Sequence, residues 1–270
     1  EMLDLPFTGT GSTGLMLCRD KGLCKELLGT QGIEVPGFFV VSPGIKPSLP
    51  RKFHFPLVVK PLYEDGSDGI CNLSLVRNDR ELEERVLMVH TRFNQPAIVE
   101  EYIDGRELYA GLLGNRQLEV LPPRELVFGS CRSGGPVLAT KRLKWSIRYR
   151  RKWNIRFDFG DIDKETMNRI AQVCRKAYCF LHINDYGRID CRLTQDNRIV
   201  ILEANPNPSL DITDEVAQSA IRSGIGYRKL IDRIVRMAWR RYEETHLHQK
   251  STTSKAKEKK PASPLHLEAA

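Results

Sequence analysis

Tyr186-Gly-Arg-Ile-Asp-Cys-Arg-Leu193, Thr194-Gln-Asp-Asn-Arg198 and Ile199-Val-Ile-Leu-Glu-Ala-Asn-Pro-Asn-Pro208 follow one another without interruption, and their reading decides the fold. Both flanks alternate with a period of two, as half-buried strands do, and the polar middle supplies a turn, so the stretch predicts a hairpin. On the first strand Ile189, Cys191 and Leu193 share one face; Arg188, Asp190 and Arg192 share the other. Unbroken alternation on the second strand groups Val200, Leu202 and Ala204 on one side and Ile201, Glu203 and Asn205 on the other. With Asp190 opposite Glu203, three oxygen donors (Asp190, Glu203, Asn205) converge beside Arg188. Such a set suits magnesium, which favours octahedral oxygen coordination and completes it with water or phosphate. A solvated face of an edge hairpin is the bland alternative, since charges usually lie outside. Against it stands Glu203-Ala-Asn-Pro-Asn-Pro208, where an acid and an amide emerge from an apolar run.

The composition is that of a globular protein. The chain has 270 residues with 41% apolar content, enough for one large domain or two smaller lobes. It has no apolar run of membrane-spanning length and no charged-then-apolar leader. Seven cysteines without CxxC spacing argue for reduced thiols in the cytosol, neither a disulfide framework nor a zinc site. The six histidines show no ligand spacing. The net charge of +8 has an address: Lys141, Arg142, Lys144, Arg148, Arg150, Arg151, Lys152 and Arg156 fall in one stretch without an acid. Three readings of that stretch stay open: a loop closing over phosphates, a nucleic-acid patch, and a solvated basic loop. Trp145, Tyr149, Trp153 and Phe157 recur at helix-like intervals, which suits anchoring on their own lobe as well as base stacking.

Elsewhere the breakers organise the chain. A helical stripe is expected through Leu15, Cys18, Leu23, Leu27 and Leu28, stopping at Gly32; short strands at Phe38–Val41 and Leu57–Val59; and a helix over 79–93 with Leu82, Val86, Leu87 and Val89 inward. Strands follow at 97–103 and 107–113. A strongly amphipathic helix is expected over 164–183, capped by Asp163, and a last helix from Tyr227 to about Tyr242. From Glu243 the composition turns polar and basic, which predicts a disordered tail over 243–270.

Taken together, Leu5-Pro-Phe-Thr-Gly-Thr10, Arg19-Asp-Lys-Gly22, Val58-Val-Lys-Pro61, Gly66-Ser-Asp-Gly-Ile70, Val99-Glu-Glu-Tyr-Ile-Asp-Gly-Arg-Glu107, Lys144-Trp145 and the hairpin resemble, in order and spacing, the ATP-grasp superfamily. Within it the chain is similar to D-alanine–D-alanine ligases and related amino-acid ligases over roughly residues 1–238. The resemblance implies an α+β, ATP-grasp fold in which two α+β lobes with antiparallel sheets grip ATP between them. Residues 1–18 are expected as a remnant or linker from an amino-terminal α/β domain that the sequence does not contain. Residues 19–103 are expected as the first lobe and 104–242 as the second.

The same resemblance implies the site. Lys21, Lys60, Ser67 and Gly69 are expected on the phosphates, with Lys144 reaching the γ-phosphate. Glu100, Glu101, Tyr102 and Ile103 form the hinge that reads adenine, Glu107 takes the ribose hydroxyls and Leu202 lies beside the base. Asp190, Glu203 and Asn205 would hold two magnesium ions, for which manganese is a substitute. Arg188 and Lys144 are the expected catalytic residues, Arg188 stabilising charge on an acyl phosphate. Asp68 departs from the family pattern, and its carboxylate is expected to face solvent, since phosphates would repel it. The implied function is an ATP- and magnesium-dependent carboxylate–amine ligase of the cytoplasm acting on a small amino acid or carboxylate. No nucleic-acid or membrane partner is expected, and a homodimer stays open. Gly66 and the Pro206-Asn207-Pro208 turn depart from the D-alanine pattern and leave the substrate unassigned. The alternatives are an ATP-grasp phosphotransferase and a truncated ATP-binding module without turnover.

Overall fold

The computed structural model describes residues 1–129 and 138–257, with side chains described as far as residue 246. The helix expected near the start is two: Ser12–Arg19 (α1) and Lys21–Thr30 (α2). Asp20 separates them, its carboxylate accepting the backbone N–H groups of Gly22 and Leu23 as the N-cap of α2. The break re-phases the apolar stripe. Leu15 and Leu23 point outward, while Cys18, Lys21, Cys24, Lys25 and Leu28 are buried.

Phe38–Val41 (β1), Leu57–Pro61 (β2), Leu75–Val76 (β3) and Ala97–Glu101 (β4) make an antiparallel sheet of order β1-β4-β2-β3. Asp79–Phe93 (α3) covers one face, packing Leu82, Val86 and Val89 on Leu57, Val59 and Val99. Each aliphatic side chain so buried contributes roughly 1.5–3 kcal/mol. Leu87, expected inward, is exposed: it lies one residue beyond Val86, off the stripe that meets the sheet.

Arg106–Leu113 (β5), Glu119–Val120 (β6) and Arg124–Phe128 (β7) begin the second sheet. The basic stretch, expected as a loop, folds into two short helices, Lys141–Trp145 (α4) and Ile147–Lys152 (α5), followed by strand Ile155–Asp158 (β8). Thr140 caps the first by accepting from Leu143 N–H and Ser146 caps the second by accepting from Tyr149 N–H. Leu143 anchors the pair in a cluster with Tyr109, Leu126 and Ile155, against which Tyr149 and Phe157 pack. Trp145 does not join them; it is exposed. Lys164–Phe180 (α6) follows, capped by Asp163 as expected.

The hairpin is present as Tyr186–Leu193 (β9) and Ile199–Asn205 (β10), and the sheet runs β10-β9-β5-β7-β8 with β6 on β5. Its main core joins α6 (Ile170, Cys174, Ala177, Tyr178) to Ile189, Cys191, Leu193 and Ile201. Cys18, Cys24, Leu28 and Ile33 belong to the same cluster, so α1 and α2 pack on the second sheet. Glu215–Arg222 (α7) and Tyr227–Lys257 (α8) form a further layer through Val216, Ala220, Leu230 and Ile234.

The last helix does not stop near Tyr242, where the disordered tail was expected to begin. Trp239 Nε1 donates to Glu243 (2.7 Å), and His246 Nε2 lies 2.7 Å from the Asp4 carboxylate, contacts that carry α8 past the change in composition. The remainder of the expected tail, 258–270, lies outside the described residues, as does Cys131. The six described cysteines are unbridged. Among the described residues no helix is long and apolar enough to cross a membrane.

Candidate active site

The hairpin register places Glu203 opposite Asp190 and Asn205 opposite Arg188. It does so through an irregularity that alternation does not foresee. Ile201 pairs with Cys191 and the next pair is Glu203–Asp190, so Leu202 is an extra residue, a bulge. Before the bulge Ile199 and Ile201 face the core; after it Ala204 does. Ile201 therefore does not share a face with Glu203 and Asn205. The inserted residue re-aims the strand so that an apolar run delivers an acid and an amide beside Asp190.

Lys60, Ser67, Glu100, Glu101, Tyr102, Ile103, Glu107, Lys144, Asp190, Leu202 and Glu203 line one cleft between the two sheets, about 70 Å³ in volume. Lys21 lies behind Glu203 in an adjoining niche, and Arg188 and Asn205 line a chamber of about 550 Å³ that shares Lys144 with the cleft. Gly69 faces elsewhere, onto a groove of about 830 Å³ between α3 and the α4–α5 segment.

Charge in the cleft is arranged in buried pairs. Glu100 takes Lys25 Nζ on one oxygen (2.8 Å) and Lys60 Nζ on the other (2.6 Å). Expected to meet a base amino group, its carboxylate is instead the anion between two lysines. Glu107 accepts from Tyr109 Oη (2.7 Å) and Arg192 Nη2 (2.6 Å), keeping a second lone pair on each oxygen. The Glu101 N–H donates to Gly37 O (2.9 Å) and its carboxylate accepts from Gly37 N–H (3.0 Å), so both groups are turned toward Gly37. Arg188 forks onto Asp190 (2.7 and 3.0 Å), reaches Glu215 (3.1 Å) and lies over the Tyr109 ring. Burial opposes its charge, but the Asp190 and Glu215 carboxylates together more than offset that and raise its pKa further.

Glu203 carries the clearest electrostatic signature. Burial pushes its pKa up, yet Lys21 (Nζ at 3.3 Å), Lys144, Lys60 and Lys25 together pull it down to about 2. Four ammonium groups thus surround one carboxylate. Asp190, Glu203 and Asn205 are hard oxygen donors, but Asp190 has both oxygens on Arg188, and among the described residues no three acids, histidines or cysteines converge as a complete metal cage. The Asn205 amide nitrogen is buried without a partner.

The Gly66 loop is a tight turn. Gly66 and Ser67 both have φ near +62° and Asp68 N–H closes on Asp65 O (3.0 Å). A Cβ on Gly69, at φ +74°, would stand 2.5 Å from Pro61 Cγ, so only glycine fits. Asp68 does not simply face solvent: it pairs with Lys141 (3.0 Å), tying this loop to α4.

Sequence reading missed Lys25, Tyr109, Arg192 and Glu215. Lys21 and Lys25 lie at i and i+4 between Cys18 and Leu28 on the buried face of their helices, a spacing that marks lysines turned inward. For Glu215 nothing local distinguishes it from any acid in a first helical turn.

The model of the family described as D-ala D-ala ligase C-terminus matches residues 27–236. An uncharacterized protein of Sinorhizobium fredii, y4sG, is 32% identical over 90% of this chain and 69% of its own length. The D-alanine–D-alanine ligase of Desulforudis audaxviator is 27% identical, with 89% of this chain and 75% of the ligase covered. A solved D-alanine–D-alanine ligase from Bacillus anthracis, complexed with ATP, superposes with a TM-score of 0.72 at 22% identity, covering 90% of this chain and 74% of that one, a likeness of fold. The family match spans most of the sequence and ends in the hairpin and helices that build the cleft, and the chain belongs to the D-alanine–D-alanine ligase family of the ATP-grasp superfamily.

Proposed function

We propose that the protein is an ATP- and magnesium-dependent carboxylate–amine ligase that works through an acyl phosphate. The observation that carries this reading is the convergence of Lys21, Lys25, Lys60 and Lys144 on Glu203, a cationic density that a polyphosphate would share. Lys60 and Lys21 would take the inner phosphates with Ser67, Lys144 the outer one. Backbone groups of Glu101 to Ile103 would read the base edge beside Tyr102 and Leu202, with Glu100 holding the lysines in place. Glu107 would take the ribose hydroxyls. The 19–103 and 104–242 lobes would close on the nucleotide from either side.

The donor set fits magnesium in the way that ion prefers, through one or two carboxylates plus phosphate oxygens. Asp190, Glu203 and Asn205 would hold it, with one ion or two; the orphaned Asn205 amide, turned over, would present its oxygen. When bound, the metal neutralises charge that moves in phosphoryl transfer. Burial pushes the Asp190 pKa up and Arg188 opposes that, so the chain's own part is to favour the Asp190 carboxylate through Arg188 and to keep the Arg188 guanidinium charged and oriented over Tyr109. An oxyanion forming on the substrate carboxylate would meet that guanidinium; an attacking amine, once it loses its proton, would then form the amide and release phosphate.

The test is direct. With ATP, magnesium and a panel of small amino acids and carboxylates, hydroxylamine should trap an acyl phosphate as a hydroxamate with stoichiometric ADP. ADP release without any hydroxamate or amide would refute the ligase reading.

A further inference from the structure

Next to the cleft, and sharing Lys144 with it, lies the chamber of about 550 Å³ walled by Arg188 and Asn205 on one side. Its other wall carries Arg124 from β7, Arg150 from α5 and Arg156 at β8. These arginines are not equivalent. Arg188 is matched by Asp190 and Glu215, and Arg156 by Asp158 (3.3 Å). Arg124 donates to the Thr213 carbonyl (2.9 Å) and lies over the Phe157 ring (5.3 Å), while its Nε is buried and meets no acceptor. Arg150 bonds the carbonyls of Leu143 (3.0 Å) and Lys144. Among the described residues neither has a carboxylate within ion-pair distance, so two guanidinium groups face one chamber without a direct ion-pair partner, with Asp65, Asp214 and Glu215 lining the same space farther off. Asp214, which makes no capping bond to α7, lines the same space as an anion.

We infer that this chamber selects an acidic amino acid, one whose side chain ends in a second carboxylate. The inference rests on the ligase reading for the chamber's role as the substrate pocket. With the reacting carboxylate at Arg188, Arg124 and Arg150 supply the positive charge for the second carboxylate, and Asp214 supplies the negative charge for the ammonium group. Planar guanidinium forks match carboxylates in pairs of parallel hydrogen bonds, which gives discrimination by geometry as well as charge. A neutral amino acid would leave these half-buried cations without a partner, the situation that makes polar sites reject an analogue lacking the group they bind.

The experiment titrates the whole chain, loaded with magnesium and a non-hydrolysable ATP analogue, with aspartate, asparagine, glutamate and glutamine in both enantiomeric forms. Calorimetry should show at least one acid binding about tenfold or more tighter than its own amide. Arg124→Gln should erase that ratio while leaving affinity for the nucleotide analogue unchanged, and Arg124→Lys should retain part of it. Equal or weaker binding of both acids than of their amides overturns the inference, whatever the hydroxamate assay gives. If the acids bind selectively but no hydroxamate forms, the ligase reading falls while the acidic pocket stands. If the analogue does not bind, the same titration without nucleotide decides the pocket alone.

Discussion

Replacing Glu203 by glutamine removes the one anion that four lysines share while keeping its shape. The surrounding lysines hold its carboxyl pKa at about 2 in the folded protein, below the ordinary value of 4.5. A depressed acid stabilises the fold above its unfolded pKa and loses that contribution as pH falls through the folded one. Each pKa unit corresponds to about 1.36 kcal/mol, so the lysines' hold on Glu203 stabilises the protein by about 3 kcal/mol at pH 7. The contribution should be flat above about pH 5, fall to about 1.4 kcal/mol at pH 3 and vanish near pH 1. Urea unfolding of both proteins at pH 7 and pH 3 reads this as a gap that narrows by about 2 kcal/mol on acidification. A gap of the same size at both pH values would mean that Glu203→Gln acts through packing, and the electrostatic picture of the cleft would be wrong. The same variant should bind ATP without magnesium more tightly than the native chain, because the lysines lose their internal competitor.

Lys60→Ala should weaken ATP binding by roughly ten- to a hundred-fold, the loss of a charge-assisted contact worth about 1.5–3 kcal/mol, read by calorimetry. Asp190→Asn should reduce turnover far more than nucleotide affinity, since a group that orients Arg188 and the metal acts mainly in the transition state; equal losses in both would argue against it. Gly69→Ala should lower thermal stability by about 1–2 kcal/mol or more, because an L residue at φ +74° is strained and its Cβ would strike Pro61; an unchanged melting temperature would mean that the turn relaxes freely.

Much of this architecture was legible because it rests on periodicity and caps. Asp163 announces α6 and alternation announces both strands of the hairpin. What the sequence hid is what arises between elements. The pairing of Lys25 with Glu100 joins residues 75 positions apart, and Glu215 meets Arg188 only because α7 docks against β5 and β9. The bulge was hidden for a different reason. Ile199 to Ala204 is apolar enough that strict alternation and alternation with one insertion look alike, and only the paired strand reveals which holds. The 141–156 stretch misled in the opposite sense, since it was expected as a loop. The capping oxygens of Thr140 and Ser146, spaced six residues apart, were the better guide.

The bulge at Leu202 also explains how an edge strand can carry a half-buried acid. β10 closes the second sheet, so its outer backbone groups have no neighbouring strand, and such an edge is both exposed to solvent and open to unwanted pairing. Two groups close it here. Ile201 N–H donates to the Glu34 carbonyl (2.8 Å), and Lys25 Nζ donates to the Leu202 carbonyl (2.8 Å). The inserted residue thus supplies the acceptor for the same lysine that neutralises Glu100 across the cleft. One ammonium group therefore links β10 of the second sheet to β4 of the first, at the point where the two sheets face each other. Removing it would expose the edge carbonyl and leave Glu100 with Lys60 alone, so Lys25 is a residue whose loss should loosen the cleft without touching the phosphates themselves. That separates it from Lys60: Lys25→Met should lower stability by several kcal/mol, as broken buried pairs do, and the stability loss should persist with saturating ATP. Full recovery of stability on adding nucleotide would instead make Lys25 a ligand-binding lysine like its neighbours.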